Sequence, residues 1–274
     1  YLKGAATEIK KFEEALNELI KIRSKKSRLN EDDVNSLMEG SLSNIHSEEE
    51  SDIIVFGTEG KIVRARTPNQ KKLVKSYYSN DLIFALGPAG SGKTYTAIAL
   101  AVRALKNKEV KRLILTRPAV EAGERLGFLP GDLRDKLDPY LQPLYDALRD
   151  MIPAKRLEAL MEEGIIQIAT LEYMRGIKLD SAFVILDEAQ NTTLGQLKMF
   201  LTRMGGNAKF IVTGDATQID LPRRSDSGLL KGVQLVGKIK GVKVVNFDKA
   251  DIVRHPLVGK IVDAFEKSGE NASE

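Results

Sequence analysis

One segment constrains the fold of this chain more than any other: a glycine-rich loop between a strand pattern and a helix pattern. Residues 82–86 form a continuous apolar run, and residues 87–94 read GPAGSGKT. Apolar residues then recur at helical spacing from Ala97 to Leu105. A strand, the spacing GxxxxGK[ST] and a helix, in this order, are typical of a loop that wraps phosphate groups. We therefore predict a phosphate-binding loop (P-loop) at residues 87–94.

Strand and helix patterns alternate along most of the chain, and this alternation predicts the fold class. Parallel strands joined by helices form right-handed crossovers that cover both faces of a sheet. We therefore predict an α/β fold with a mostly parallel sheet and helices on both faces. The strand patterns lie at 82–86, 112–116, 165–169, 183–186, 209–213 and 242–247, and helices are expected to begin near Gly92, Leu133, Ala154, Thr193 and Pro256. Before them, residues 53–56 and 61–66 predict a short hairpin.

The charge pattern predicts a boundary in front of this domain. Residues 1–30 hold eight Lys/Arg and four Glu, whereas residues 31–60 hold nine Asp/Glu and no Lys or Arg. Residues 1–40 are expected to form a small helical unit. Residues 41–52 are rich in Ser and Glu and predict a linker, so the main domain would span residues 53–274.

Composition excludes several classes of site. The chain has no cysteine and only two histidines, His46 and His255, which rules out thiolate chemistry and a histidine-built metal site. No apolar run reaches the length of a membrane span, and a protein without cysteine suits a reducing compartment, so we expect a cytoplasmic protein with no membrane partner. The net charge of +4 permits a nucleic-acid partner without requiring one.

The P-loop sequence assigns a role to each of its parts. Its glycines let backbone N–H groups point at phosphate oxygens, and the helix N-terminus adds positive potential. Lys93 is expected to reach the β- and γ-phosphates, and the Thr94 hydroxyl to ligate Mg²⁺. The sequence thus predicts ATP and Mg²⁺ as ligands. The predicted ATP-binding residues are Gly87, Pro88, Ala89, Gly90, Ser91, Gly92, Lys93 and Thr94.

Two adjacent carboxylates follow the continuous apolar strand predicted at residues 183–186. We predict that Asp187 holds Mg²⁺ through water and that Glu188 polarises the attacking water as a general base. These acids are expected at the tip of a strand that neighbours the P-loop strand. The alternative is a surface acidic pair that caps the helix at Thr193.

Three further side chains complete the predicted site. Gln218 follows the strand at 209–213; if this strand lies beside the Asp187 strand, its amide could sense the γ-phosphate, and the alternative is a solvent-facing loop residue. Gln70, in the segment TPNQ, could pair with adenine or could belong to an ordinary turn. Arg254 lies beyond the last strand and could stabilise transition-state charge from within the chain or across a subunit interface, or could form a structural ion pair or helix cap.

These motifs together resemble the PhoH-like family of ATPases. The resemblance covers nearly the whole length after the linker, and its most specific part lies around residues 115–146. Residues 117–148 form the main insertion between core strands, in which Arg117 and Arg125 could contact a nucleic-acid backbone. The segments that carry it are RTPNQ at 66–70, the P-loop, TRPAVEAGE at 116–124, LGFLPGD at 126–132, DPY at 138–140, PLYD at 143–146, DEAQ at 187–190, GD at 214–215 with Gln218, and VRHP at 253–256.

The resemblance implies a single RecA-like ATPase core related to the first motor domain of superfamily 1 helicases. In that relation Gln70 matches the adenine-reading glutamine and Gln218 the γ-phosphate sensor, while residues 1–40 resemble part of a KH-like domain. Family members are cytoplasmic ATPases tied to RNA metabolism or phosphate starvation, some with an endoribonuclease partner. A lone core implies a homo-oligomeric ring, for example a hexamer, with Arg254, Arg223 or Arg224 reaching into the neighbouring site.

Three functions fit the residues. The first is an RNA-linked ATPase that remodels or unwinds RNA, and the second is a nucleotide-dependent assembly module that recruits or regulates an endoribonuclease. The third, a phosphotransferase, is disfavoured because Glu188 and Gln218 suit hydrolysis and no acceptor site is evident.

Overall fold

The computed structural model describes residues 52–118 and 133–253. The predicted N-terminal unit and most of the linker, the segment 119–132 and the residues from Arg254 onward lie outside these ranges. The division into residues 1–40, 41–52 and 53–274 therefore stays a prediction, as does the helix expected near Pro256.

The main domain is built around one six-stranded parallel sheet. The strands are β3 (Leu82–Leu86), β4 (Arg112–Arg117), β5 (Ile166–Thr170), β6 (Ala182–Leu186), β7 (Lys209–Gly214) and β8 (Val242–Asn246), in the spatial order β5-β4-β6-β7-β3-β8. Every neighbouring pair is parallel. β1 (Ile53–Phe56) and β2 (Ile62–Arg64) form a separate two-stranded sheet. The predicted α/β, RecA-like P-loop architecture is confirmed.

Helices cover both faces of the sheet, as the alternation predicts. The helices are α1 (Pro68–Tyr77), α2 (Lys93–Lys106), α3 (Leu133–Arg149), α4 (Ala154–Glu162), α5 (Leu194–Leu201) and α6 (Leu229–Val236). Side chains from α1 to α4 share one apolar core with alternate strand residues such as Ile83 and Ile185. α5 and α6 pack on the opposite face against the intervening residues, such as Phe84 and Val184. Burial on both faces explains why the inner strands β3 and β6 have continuously apolar sequences.

Local sequence signals fix where the helices begin. α5 starts with a capping box, in which the Thr193 hydroxyl accepts from the Gln196 N–H and the Gln196 side chain accepts from the Thr193 N–H. α1 begins within TPNQ, the segment for which the sequence allowed either an ordinary turn or a contact with adenine. Thr67 caps it and Pro68 occupies its first position.

The strand order corrects the prediction that the strand carrying the acids lies directly beside the P-loop strand. β6, which carries the acids, is not the immediate neighbour of the P-loop strand β3, because β7 lies between them. β7 is hydrogen-bonded to both, with Leu186 opposite Val212 and Leu86 opposite Gly214. Because the strands are parallel, their carboxyl ends meet at one edge of the sheet, and this edge brings the predicted site residues together. No helix in the described part of the chain is both long enough and apolar enough to span a bilayer.

Candidate nucleotide-binding site

The P-loop occupies the turn between β3 and α2, and its glycines have steric reasons to be there. Gly87 has a φ of 146°, and a Cβ at this position would lie 2.4 Å from the backbone oxygen of Phe247. Gly92 has a φ of 77°, and its Cβ would lie 2.7 Å from the Gln70 amide nitrogen. A larger residue at either position would push the loop away from its neighbours. α2 begins directly after Gly92, so the N–H groups of its first turn have no intrahelical carbonyl to bond.

A cavity of about 290 Å³ lies in front of this loop, and eight of the predicted residues line it. They are Ala89, Gly90, Gly92, Lys93, Thr94, Asp187, Glu188 and Gln218. The order of the strands in the sequence predicts that these side chains lie close together, and the structure brings them to this one cavity. Gln218 is solvent-exposed and also lines an adjoining cavity of about 470 Å³.

Lys93 is buried at the base of the loop, with 7% of its surface exposed. Its ammonium group donates hydrogen bonds to the carbonyl oxygens of Gly87, at 2.6 Å, and Pro88, at 2.7 Å. A phosphate group must therefore compete with two loop carbonyls for this ammonium.

Side chains from one helix, α2, and two strands, β4 and β7, donate hydrogen bonds to Asp187. Its Oδ1 accepts hydrogen bonds from the hydroxyl groups of Thr94 and Thr213, each at 2.6 Å. Its Oδ2 accepts from the Arg117 guanidinium, at 2.8 Å from Nη2 and 3.3 Å from Nε. Only 4% of the Asp187 side chain is exposed. These hydrogen bonds engage both carboxylate oxygens and fix the orientation of the Asp187 side chain.

Glu188 stands at the more open end of the acid pair, with 40% of its side chain exposed. Its Oε1 lies 3.3 Å from Arg117 Nη2, and its Oε2 accepts from the Gln190 amide at 2.5 Å. Partial burial and the neighbouring charge of Asp187 raise the pKa of Glu188 above its ordinary value, while the Gln190 bond and the charges of Arg117 and Lys93 act against this rise. The backbone of Glu188 is left-handed, with φ 52°, a strained state that is typical of functional sites.

A chain of hydrogen bonds links the P-loop to the carboxylate pair. The Ala89 N–H donates to Asp215 Oδ2 at 3.1 Å. The Asp215 N–H in turn donates to Gln190 Oε1 at 3.0 Å, and the Gln190 amide donates to Glu188. Asp215 and Gln190 are buried, at 4% and 1% exposure. The P-loop and Glu188 are therefore held in a fixed relation by polar groups.

Gln70 contacts the P-loop from the other side. Its amide nitrogen donates to the Ser91 carbonyl at 3.0 Å, and its amide oxygen accepts from the Arg66 N–H at 2.7 Å. Both functional groups of this amide thus bond the protein backbone, and contact with adenine stays a prediction.

Arg254 lies outside the described residues, but its predecessor contacts the site. The Val253 N–H donates to the Gly90 carbonyl in the P-loop at 3.1 Å. Arg223 and Arg224, the other candidate arginines, are exposed. Arg224 donates to the Thr217 carbonyl at 2.6 Å and lines the adjoining cavity.

Sequence reasoning missed or misplaced four members of the site. Contact of Arg117 with a nucleic-acid backbone stays a prediction, and the structure places its guanidinium on the acids. Thr213, Gln190 and Asp215 were given no role. Thr213 and Asp215 lie at and just beyond the end of β7, and this shared strand-end position is the signal that could have found them.

Comparison with known proteins gives the chain its family. Residues 62–266 match the PhoH family, described as PhoH-like protein. A PhoH-like protein of Bacillus subtilis (strain 168) is 56% identical over 214 residues, covering 78% of this chain and 67% of that protein. A PhoH-like protein of Mycobacterium tuberculosis (strain H37Rv) is 53% identical over 219 residues, covering 80% and 62%. Protein PhoH of Escherichia coli (strain K12) is 45% identical over 205 residues, covering 74% and 58%.

The chain spans between 58% and 67% of the length of these relatives. Solved structures resemble it more remotely. The UvsW helicase from bacteriophage T4 has a TM-score of 0.44 at 13% identity, covering 75% of this chain and 67% of that one. The SWI2/SNF2 ATPase core of Sulfolobus solfataricus, solved with dsDNA, has a TM-score of 0.40 at 17% identity, covering 69% and 47%. No functional argument rests on likeness at this level. The family match, the close relatives and the P-loop together show that this chain is a P-loop nucleotide-binding protein that belongs to the PhoH-like family.

Proposed function

We propose that this chain binds ATP·Mg²⁺ in the P-loop cavity and hydrolyses it. The observation that carries the proposal is the convergence of Lys93, Thr94, Asp187, Glu188 and Gln218 on one cavity of about 290 Å³. A phosphate-binding cation, a hydroxyl, two acids and an amide on one cavity are the parts that hydrolysis of a nucleoside triphosphate needs.

The residues present fit a magnesium ion that is shared with phosphate. The Thr94 hydroxyl donates a hydrogen bond to Asp187, which leaves the lone pairs of the hydroxyl oxygen available to a metal ion. Asp187 would then hold the ion through water. Among residues 52–118 and 133–253, no group of three or more acidic, histidine or cysteine side chains forms an all-protein metal site, which suits an ion completed by phosphate oxygens. When bound, Mg²⁺ would neutralise charge that develops on the phosphates.

Glu188 is the candidate general base. It is the more exposed of the two acids, and it is held by Gln190 and Arg117 without being enclosed. It would accept a proton from the attacking water while the Gln218 amide orients that water. Lys93 would leave the loop carbonyls for the phosphates.

The test is ATP turnover of Glu188→Gln beside the wild type, with binding measured by a fluorescent ATP analogue. Removal of the base should lower kcat by about 10²-fold or more and leave binding largely intact. Lys93→Ala should weaken both binding and turnover. Glu158→Gln, on the exposed face of α4, is the matched control and should behave as wild type. Near-normal turnover of Glu188→Gln would refute the assignment of the base.

We propose further that the ATPase acts in RNA metabolism, as an RNA-linked or helicase-like remodeler. The support is membership of the family together with a mildly basic chain. The competing proposal is an oligomeric assembly module, in which ATP controls a ring or an endoribonuclease partner without unwinding. Exposed Arg223 and Arg224 beside the site favour it, because they could reach a second subunit, as could Arg254.

Turnover with and without single-stranded RNA separates the two proposals. An RNA-linked ATPase should be stimulated by RNA, and the stimulation should weaken steeply between low and physiological salt. Turnover that is indifferent to RNA, combined with ATP-dependent oligomers in native mass spectrometry, would support the assembly module instead. Monomers alone in the presence of ATP would refute the ring.

A further inference from the structure

The Arg117 guanidinium contacts both acids of the site. Arg117 ends β4, the strand beside β6, and its side chain is 16% exposed. The guanidinium lies 2.8 Å from Asp187 Oδ2 and 3.3 Å from Glu188 Oε1. Neither the nucleotide-binding role of the P-loop nor the base role of Glu188 accounts for it.

The third contact of Arg117 leads away from the site. Its Nη1 donates to the Tyr140 carbonyl in α3 at 2.6 Å. One planar group thus joins the acid pair on β6 to α3. Lysine could not replace it, because a single ammonium lacks the rigid fork that reaches several acceptors at once.

Charge explains why the acid pair needs such a partner. Asp187 and Glu188 are adjacent like charges, and Asp187 is almost fully buried. A buried carboxylate that loses its cationic partner is left uncompensated and reorients or draws in water. Arg117 also lines the 470 Å³ cavity that adjoins the nucleotide cavity at Glu188 and Gln218.

We propose that Arg117 is a positioning residue that fixes the orientation of the Asp187–Glu188 pair and couples it to α3. The proposal rests on the proposed function in that Glu188 is the base through which Arg117 affects turnover. The coupling to α3, in contrast, is a property of the protein without nucleotide and can be measured separately.

The kinetic test compares Arg117→Gln, Arg117→Lys and the control Arg112→Gln, which makes the same change at the opposite end of β4. Misplacement of a catalytic group by about 1 Å costs about 10²-fold, so Arg117→Gln should lower kcat by at least tenfold while KM for ATP changes less than about threefold. Arg117→Lys should recover little of this loss, and Arg112→Gln should match wild type. A kcat of Arg117→Gln within about threefold of wild type would overturn the proposal.

A double variant shows whether Arg117 acts through Glu188. In the Glu188→Gln background the Arg117→Gln change should lower kcat much less than it does in wild type, because the part of its effect that passes through Glu188 is already lost. Equal losses in both backgrounds would refute a positioning role. If Arg117→Gln does not fold, judged by circular dichroism, Arg117→Lys provides the test, and a wild-type kcat for it overturns the proposal.

Hydrogen exchange tests the coupling without turnover. In Arg117→Gln the amides of residues 141–148 in α3 should exchange several-fold faster than in wild type or Arg112→Gln, because the tie to Tyr140 is lost. Unchanged exchange would refute the link to α3. A result in which exchange changes but Glu188→Gln hydrolyses ATP normally would reject the proposed base and keep the structural link.

Discussion

Replacement by valine should have different effects on the free energy of unfolding at two buried threonines. Thr213 on β7 and Thr116 on β4 lie on the two strands that flank β6, and both have 0% exposure. The Thr213 hydroxyl donates to Asp187 Oδ1 at 2.6 Å. Among the described residues the Thr116 hydroxyl has no hydrogen-bond partner. Replacement by valine keeps the shape of each side chain and removes only the hydroxyl.

The magnitudes follow from these contacts. A hydrogen bond to a charged group contributes about 1.5–3 kcal/mol, so Thr213→Val should lower the free energy of unfolding by about that amount. For a domain of about 200 residues this corresponds to a fall in Tm of roughly 3–12 °C. Thr116→Val removes a buried hydroxyl that bonds nothing, so stability should be unchanged or should rise by up to about 1–2 kcal/mol.

The assay is urea denaturation of both variants at pH 7, followed by circular dichroism. The midpoint should shift in opposite directions, or only for Thr213→Val, while the m-value stays constant. In an Asp187→Ala background, Thr213→Val should cost little, because its acceptor is gone. Equal losses for the two valine variants, or a loss below about 0.5 kcal/mol for Thr213→Val, would refute the reasoning from hydrogen bonds to Asp187.

Three further perturbations follow from the contacts of the site. Gly87→Ala places a Cβ 2.4 Å from the Phe247 backbone oxygen at a φ of 146°, so the free energy of unfolding should fall by about 1–3 kcal/mol or more, measured in urea. Asn191→Ala removes the paired hydrogen bonds that anchor the loop at Asp220, so kcat should fall about tenfold while KM changes little, measured by steady-state kinetics. For Asp251, burial raises the pKa, but hydrogen bonds from neighbouring side chains and backbone outweigh it and hold the pKa below its ordinary value. Its stabilisation is therefore present above about pH 3.9 and lost as the pH falls through the folded pKa, so the deficit of Asp251→Asn, about 1–3 kcal/mol at pH 7, should shrink in acid denaturation curves.

The inner strands of the sheet could be predicted from sequence because they are buried on both faces. The run from Phe183 to Leu186 has no polar residue, and its predicted bounds differ from β6 by a single residue. α1 was not predicted, although Thr67 and Pro68 are start signals, because its helical pattern is short and lies beside a motif that was interpreted functionally. α6 was also missed, since no cap precedes its eight residues.

The site shows a different limit of sequence reasoning. Lys93, Thr94, Asp187 and Glu188 are identified by local patterns, because each motif contains both the chemical group and its strand or helix context. The partners of Asp187 come from other strands, and their side-chain directions depend on register, which the residue order does not state. Arg117 belongs to a distinctive segment, but its interaction with the acids depends on β4 lying directly beside β6.

The hydrogen bonds of the acid pair indicate where nucleotide binding must change the protein. Asp187 already accepts from Thr94, Thr213 and Arg117, so its orientation is set in advance and needs no rearrangement. Lys93, in contrast, bonds its own loop at Gly87 and Pro88 and must exchange those bonds for phosphate oxygens. Reorganisation should therefore concentrate in the P-loop and leave the tip of β6 in place. Chemical-shift or hydrogen-exchange changes on binding a non-hydrolysable ATP analogue should be large at residues 87–94 and small at 186–188, and the reverse distribution would contradict a preorganised acid pair.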